Sequence, residues 1–253
     1  MPGTLKLGKL PAVPGAVKLK LSTYLEKPQL PTPPPEFGHD AQITAWEMLG
    51  NDTVGDCVIA GALHETMLWT SIGSTVIPVS TEAALKNYSA ITGFNPDDPN
   101  SDQGTDPAKA ASYRRKTGIV DANGKRHKIG AYLALTPGDV QEHLLALYLF
   151  GAVGVGVEFP QSAMDQFNAG EPWDVVPGSK IEGGHYISAV ARRNGQLVIV
   201  TWGKEQPMTD AFLEKYNDES YAYISAEYLN SGKSPEGFNM AQLKADLAAV
   251  TSA

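Results

Sequence analysis

The order of local signals along the chain predicts an α+β fold in two segregated lobes. Three observations carry this. Residues 1–38 are rich in proline and lack helical periodicity, helix signals dominate the stretch after them, and strand signals separated by turn residues dominate the rest. Pro28, Pro31, Pro33, Pro34 and Pro35 enforce extended geometry, so residues 1–38 are expected to form an arm lying over a surface.

From Asp56 to about Thr70, the residues Cys57, Ala60, His64 and Met67/Leu68 recur at spacings of three and four. That spacing predicts a helix with these residues on one face, Asp56 as its N-cap and Cys57 in its first turn. A second helix starts at Ser80 or Thr81 and ends before Gly93. Residues 95–106 carry the Asp, Asn, Pro and Gly of turns. Their acids invite a calcium reading, but the spacing is not that of an EF-hand and Pro99 interrupts it, so no metal is expected. A short helix runs from Pro107 to about Lys116 and stops at Gly118, and residues 127–135 read as a strand. Thr136-Pro-Gly-Asp139 opens a helix reaching Phe150. Alternating Val153, Val155 and Val157 give a strand, as do residues 186–192, 197–202 and 221–225, with Asn194-Gly195 as a hairpin turn. Residues 239–250 have amphipathic helix spacing. The expected organisation is an arm over 1–38 and one domain over 39–253. Within that domain, a helical lobe spans about 39–126, an antiparallel β lobe about 127–235, and the final helix 239–250.

The chain has 253 residues, 42% hydrophobic and 19% charged, enough for one sizeable domain or two small lobes. No run of 18 apolar residues is present, so no membrane span is expected, and the start lacks the apolar stretch of a secretory signal. The expectation is therefore a cytoplasmic or assembly-associated protein. One cysteine excludes an intramolecular disulfide. The net charge of −8 is uneven: Lys6, Lys9, Lys18, Lys20 and Lys27 against Glu26 make residues 1–35 positive by four, leaving −12 on the remainder. An acidic body argues against nucleic-acid binding by the domain itself, while the arm is either a solvated tail or a basic contact for an acidic surface.

Two residues suggest chemistry. A thiol in the first turn of a helix is favoured as thiolate by the exposed N–H groups there, and a nearby imidazole completes its activation. Cys57 has the first feature, although a lone cysteine is more often a small buried hydrophobe. Of the five histidines, His39 lies in the proline-rich approach, His127 follows a basic turn, His143 sits on an amphipathic helix, and His64 is two turns along the same helix as Cys57. His185 begins a strand behind Gly183 and Gly184, which allow close backbone approach at a cleft wall. Spacing alone does not single it out.

At these residues the sequence resembles the papain family of cysteine peptidases. Asn51-Asp-Thr-Val-Gly-Asp-Cys57 is similar to the segment carrying the nucleophile, and Gly183-Gly-His185-Tyr-Ile-Ser-Ala-Val to the histidine strand. Val198-Ile-Val-Thr-Trp202-Gly203 is similar to the strand ending in Asn-Ser-Trp-Gly. Gly104 with residues 108–118, Pro137-Gly-Asp-Val and Gly151-Ala-Val-Gly-Val-Gly-Val fit the elements between, so the resemblance spans roughly residues 30–225. It implies a papain-like two-lobed fold with a central helix. It also implies a cysteine hydrolase of peptide or amide bonds that needs no cofactor and takes a peptide or protein substrate. Cys57 is then the nucleophile, His185 the base and then acid, and Asn51 with the Cys57 N–H the oxyanion site. Trp202 covers the histidine, and Gly183 and Gly184 line the substrate cleft. The sequence departs from the family where the orienting Asn belongs: counting from Trp202 gives Val200, counting from His185 gives Thr201, and strand alternation lets only one of them face the histidine. Asn51 is also one methylene shorter than the family's Gln. These departures keep a second reading open: a catalytically weak or idle papain-fold protein anchored by residues 1–35 to a larger assembly, such as a virion or shell.

Overall fold

The structure, a computed structural model, describes residues 5–26, 30–73, 75–228, 238–241 and 244. Its centre is α1 (Cys57–Gly73), and every residue from 55 to 71 is buried. The sequence pattern suggested one buried face; packing buries the whole circumference. Polar side chains tolerate this because each finds a local acceptor. Thr66 and Thr70 donate to the carbonyls of Ala62 and Thr66 at 2.8 and 2.9 Å, and Ser71 to Leu68 at 2.7 Å.

Two helices pack beside α1. In α2 (Thr81–Thr92), Ser80 accepts the Ala83 N–H and Gly93 closes the end at φ 89°, as the sequence suggested. In α3 (Pro107–Lys116), Asp106 caps and Pro107 takes the first position. A small antiparallel pair, β2 (Ile119–Val120) and β3 (Arg126–His127), follows, with β1 (Phe37–Gly38) earlier in the chain. The remaining strands are β4 (Ile129–Ala134), β5 (Val153–Pro160), β6 (Ile181–Arg193), β7 (Gln196–Thr201), β8 (Lys204–Met208) and β9 (Asn217–Ser225). They form an antiparallel sheet in the order β4-β9-β5-β6-β7-β8, with β1 on the far part of β6. Asn194 and Gly195, both at positive φ, make the tight β6–β7 turn that the sequence announced.

Three helices complete the sheet side: α4 (Val140–Phe150), α5 (Gln161–Ala169) and α6 (Asp210–Tyr216). The first begins at its cap Asp139 rather than at Thr136, because residues 136–138 form a turn tied back by Glu142 to the Thr136 N–H at 2.7 Å. α5 and α6 were not expected from the sequence. The final helix expected over 239–250 lies almost wholly outside the described residues.

One buried network locks α1 to the sheet. Glu65, fully buried, accepts from Arg114 of α3 at 2.5 Å and from the Tyr186 hydroxyl of β6 at 2.8 Å. The Tyr186 hydroxyl also meets that of Tyr223 at 2.8 Å, and the Arg114 guanidinium lies over the Tyr223 ring at 4.3 Å. Burial pushes the Glu65 carboxyl up, with the Arg114 charge as the main opposing effect. Removing one partner leaves the other charge buried and uncompensated. Arg114→Met is therefore expected to lower unfolding free energy by about 3–5 kcal/mol in urea titrations. The double change Glu65→Leu/Arg114→Met should recover much of that loss. An Arg114→Met loss within about 0.5 kcal/mol of zero, the size of an ordinary surface change, would show that the pair is not a structural lock.

Candidate active site

Cys57 is the first residue of α1, placed there by a tight run of turns through residues 48–55. The Asp56 carbonyl accepts the first helical N–H groups, those of Ile59 and Ala60, at 2.8 and 3.0 Å. Its carboxyl does not make the expected side-chain cap: it is fully buried and neither oxygen has a hydrogen-bond partner. Burial pushes this acid well above the usual carboxylate range, favouring an uncharged group beside the thiol. Asn51 is also buried, and its amide donates to the Val54 carbonyl at 3.1 Å and lies against Asp56. It thereby holds the loop that delivers Cys57.

Cys57 itself is 1% exposed. Burial pushes its pKa up to about 12; the Tyr186 and Gly8 N–H groups and the Lys9 charge pull the other way, and Asp56 adds to the rise. In this state Cys57 is a thiol.

His185 follows Gly183 and Gly184 on β6, one residue before the Tyr186 N–H that points at the sulfur. Its Nε2 lies 2.7 Å from Thr201 Oγ1, and its ring stacks on Trp202 with centroids 4.4 Å apart and planes 16° apart. Phe159 and Trp173 meet it edge-on. Thr201, not Val200, is thus the residue beside the histidine; Val200 joins the apolar cluster around α1. Nδ1 is buried without a partner, so no hydrogen bond joins His185 to Cys57. Burial alone pushes the imidazole pKa down to about 3, and the ring is neutral.

What lies between these walls is the protein's own N-terminal arm. Lys9 N–H donates to the Gly184 carbonyl at 3.1 Å on one side. On the other, Thr105 N–H donates to the Gly8 carbonyl at 2.7 Å, and Leu10 N–H to the Thr105 carbonyl at 3.0 Å, a parallel bridge. Trp202 Nε1 donates to the Lys6 carbonyl at 3.2 Å, and Leu7 packs on Gly183. The fit is so close that a Cβ on Gly8 would stand 1.9 Å from the Gly55 carbonyl oxygen, and one on Gly184 2.3 Å from that of Lys9. An extended peptide therefore already occupies the cleft over the thiol.

Two further residues set this cleft and carried no signal in the sequence. Asp102 accepts the Gly55 N–H at 3.0 and 3.2 Å and the Tyr88 hydroxyl at 2.7 Å. Tyr88 in turn accepts the Gly104 N–H at 2.9 Å. This chain ties the loop before Cys57 to the edge at Gly104 and Thr105 that grips the arm. Among the described residues no cluster has a metal-binding arrangement. The loop acids Asp98, Asp102 and Asp106 are engaged as caps and brackets.

The central helix, the antiparallel sheet and the cleft between them define a papain-like fold. Xylellain, a cysteine protease from Xylella fastidiosa, superposes with a TM-score of 0.68 at 12% identity, covering 89% of this chain and 98% of that one. A procathepsin B from Trypanosoma congolense gives 0.60 at 11% identity, covering 87% and 86%. No family model matches the sequence, and no curated protein matches it.

His185 at about 3 and His64, pushed by burial to about 4, both favour the neutral ring when folded, against 6.5 for a free histidine. Unfolding therefore takes up protons in acid. Their contribution to stability is complete above about pH 6.5 and is lost as pH falls towards 3. Urea midpoints are expected to drop between pH 6.5 and 4, with a shallower drop in His185→Phe. An unchanged slope in that variant would show that His185 is not held neutral.

Proposed function

We propose that this protein is a cysteine hydrolase of peptide or amide bonds, seen here with its cleft covered by its own N-terminal arm. The observation that carries this reading is the grip on residues 7–10: both cleft walls hydrogen-bond an extended backbone and lay it across the sulfur of Cys57. A cleft shaped for main-chain amides next to a helix-end thiol suits peptide cleavage better than a role in packing.

In this reading the arm leaves and substrate and water enter. Lower burial brings the Cys57 pKa down from about 12 and raises that of His185 from about 3, so the pair can exchange a proton. His185 Nδ1 takes the thiol proton while Thr201 holds Nε2, the role of an orienting partner. The sulfur attacks the carbonyl carbon, and the new C–S bond pushes charge onto the oxygen. The Cys57 N–H, left unpaired by the helix, meets that oxyanion. Asn51 is the second donor, exchanging its bond to Val54 for the oxyanion. Collapse breaks the C–N bond as His185 returns the proton to the amine, and water then hydrolyses the thioester.

The test keeps the chain whole. Gly8→Val places a side chain where Gly55 leaves no room and should expel residues 5–10 from the cleft. Hydrolysis of a mixed fluorogenic peptide library is expected to appear in Gly8→Val, to vanish in Gly8→Val/Cys57→Ala, and to fall by about 100-fold or more in Gly8→Val/His185→Ala. If Gly8→Val exposes Cys57 to iodoacetamide yet cleaves nothing, and His185→Ala leaves the alkylation rate unchanged, the hydrolase reading fails.

A further inference from the structure

The arm shows which side chain the cleft prefers. Lys9 is an arm residue with a side chain 0% exposed, and its ammonium makes three contacts: Asp218 at 2.7 Å, Glu219 at 3.0 Å and its own neighbour's carbonyl, Leu10, at 3.0 Å. Space for its stem comes from Gly156 on β5, where a Cβ would lie 2.3 Å from Lys9 Cε. The carboxylates come from the start of β9. Asp218 Oδ1 is buried without a hydrogen-bond partner, so the pocket has acceptor capacity beyond what one ammonium uses. Asp218 and Glu219 also line a cavity of about 380 Å³, together with Leu135, Pro137 and arm residues that include Lys20.

Lys9 adjoins Gly8, the residue whose N–H points at the sulfur. The acidic pocket is therefore registered one residue from the position of chemistry, and the arm's lysine fills it as a stand-in. We propose that Asp218 and Glu219 are specificity residues that select a lysine or arginine side chain in a bound peptide, next to the residue lying over Cys57. Two partly buried carboxylates, 21% and 11% exposed, repel an acidic side chain and leave their charge unpaired under an apolar one. A guanidinium, with five donors, matches two carboxylates as well as an ammonium does.

The inference rests on the proposed function for the idea that peptides enter this cleft, but its test needs no turnover. In the full-length Gly8→Val chain, alkylation of Cys57 by iodoacetamide is followed by mass spectrometry in the presence of capped Gly-X-Gly peptides with X as Lys, Arg, Leu or Glu. Lys and Arg peptides are expected to protect at concentrations about tenfold lower than Leu, with Glu weakest. Adding Asp218→Asn and Glu219→Gln should erase that margin. Independently, Lys9→Glu in the otherwise natural chain should speed alkylation of Cys57 as the cover loses its anchor. Equal protection by all four peptides, no protection by any, or a Lys9→Glu rate equal to wild type would each overturn the proposal. A chain that binds Lys peptides but cleaves none refutes the hydrolase reading alone, and one that cleaves without preference refutes this inference alone.

Discussion

Burial of α1 on every side from Cys57 to Ser71 is the constraint on which the rest depends. A helix surrounded on all sides must end its polar business internally, and it does so through Thr66, Thr70 and Ser71 on its own carbonyls and Glu65 on Arg114 and Tyr186. The last of these fixes where β6 lies along the helix. Because Tyr186 follows His185, the same bond that helps satisfy a buried acid also sets how far the histidine stands from the helix end. Positioning and stability are thus one interaction viewed from two residues.

Burial also governs the chemistry of the site. Cys57 and His185 are each displaced towards their uncharged forms, the thiol upward and the imidazole downward, and in both cases loss of water is the leading cause. The arm supplies part of that dryness over the sulfur, since Gly8 lies against Gly55 and its N–H faces the thiol. A covered cleft and a protonated thiol are therefore coupled through solvation. Burial likewise displaces the neighbouring Asp56 carboxyl towards its uncharged form, which lessens the negative charge beside the thiol.

Much of this was legible in the sequence wherever the cause is local. Ser80, Gly93, Asp106-Pro107 and Asn194-Gly195 mark their boundaries through capping and turn chemistry, which acts over a few residues. The alternation of Val153, Val155 and Val157 marks β5 for the same reason. The helices α5 and α6 were missed because, at nine and seven residues, they fall short of the window of about 11–18 residues over which a helical period is read. The prolines from Pro28 to Pro35 suggested an extended arm over a surface, with its lysines either solvated or a basic contact; the segment that lies in the cleft, residues 7–10, carries none of those prolines. Nothing local shows that Lys9 is buried, because its partners lie 209 and 210 positions away. The Asp102–Tyr88–Gly104 bracket was hidden similarly: Asp102 looks like any acid in a turn-rich loop, and only the fold brings Gly55 to it. Strand counting left Val200 and Thr201 as alternatives because two valid anchors gave different registers. The β6–β7 pairing, which sets Ser188 opposite Val200, puts Thr201 beside His185.

The buried Lys9 cluster is best understood as a device for register. An ion pair taken out of water gains little net stability, since desolvation offsets most of the attraction. It does make alternatives expensive. Sliding the arm by one residue would put a side chain where Gly8 now faces the Gly55 carbonyl, and would leave Asp218 and Glu219 opposite an uncharged neighbour. A glycine that must face Gly55 and a lysine that must face two acids permit one alignment of the arm, the one that seals the sulfur. The other described arm lysines, Lys6, Lys18 and Lys20, are exposed and impose no such condition. Hence, among the described arm lysines, it is the charge of Lys9 that fixes the alignment, through a site built by Gly156 of β5 and by Asp218 and Glu219 of β9.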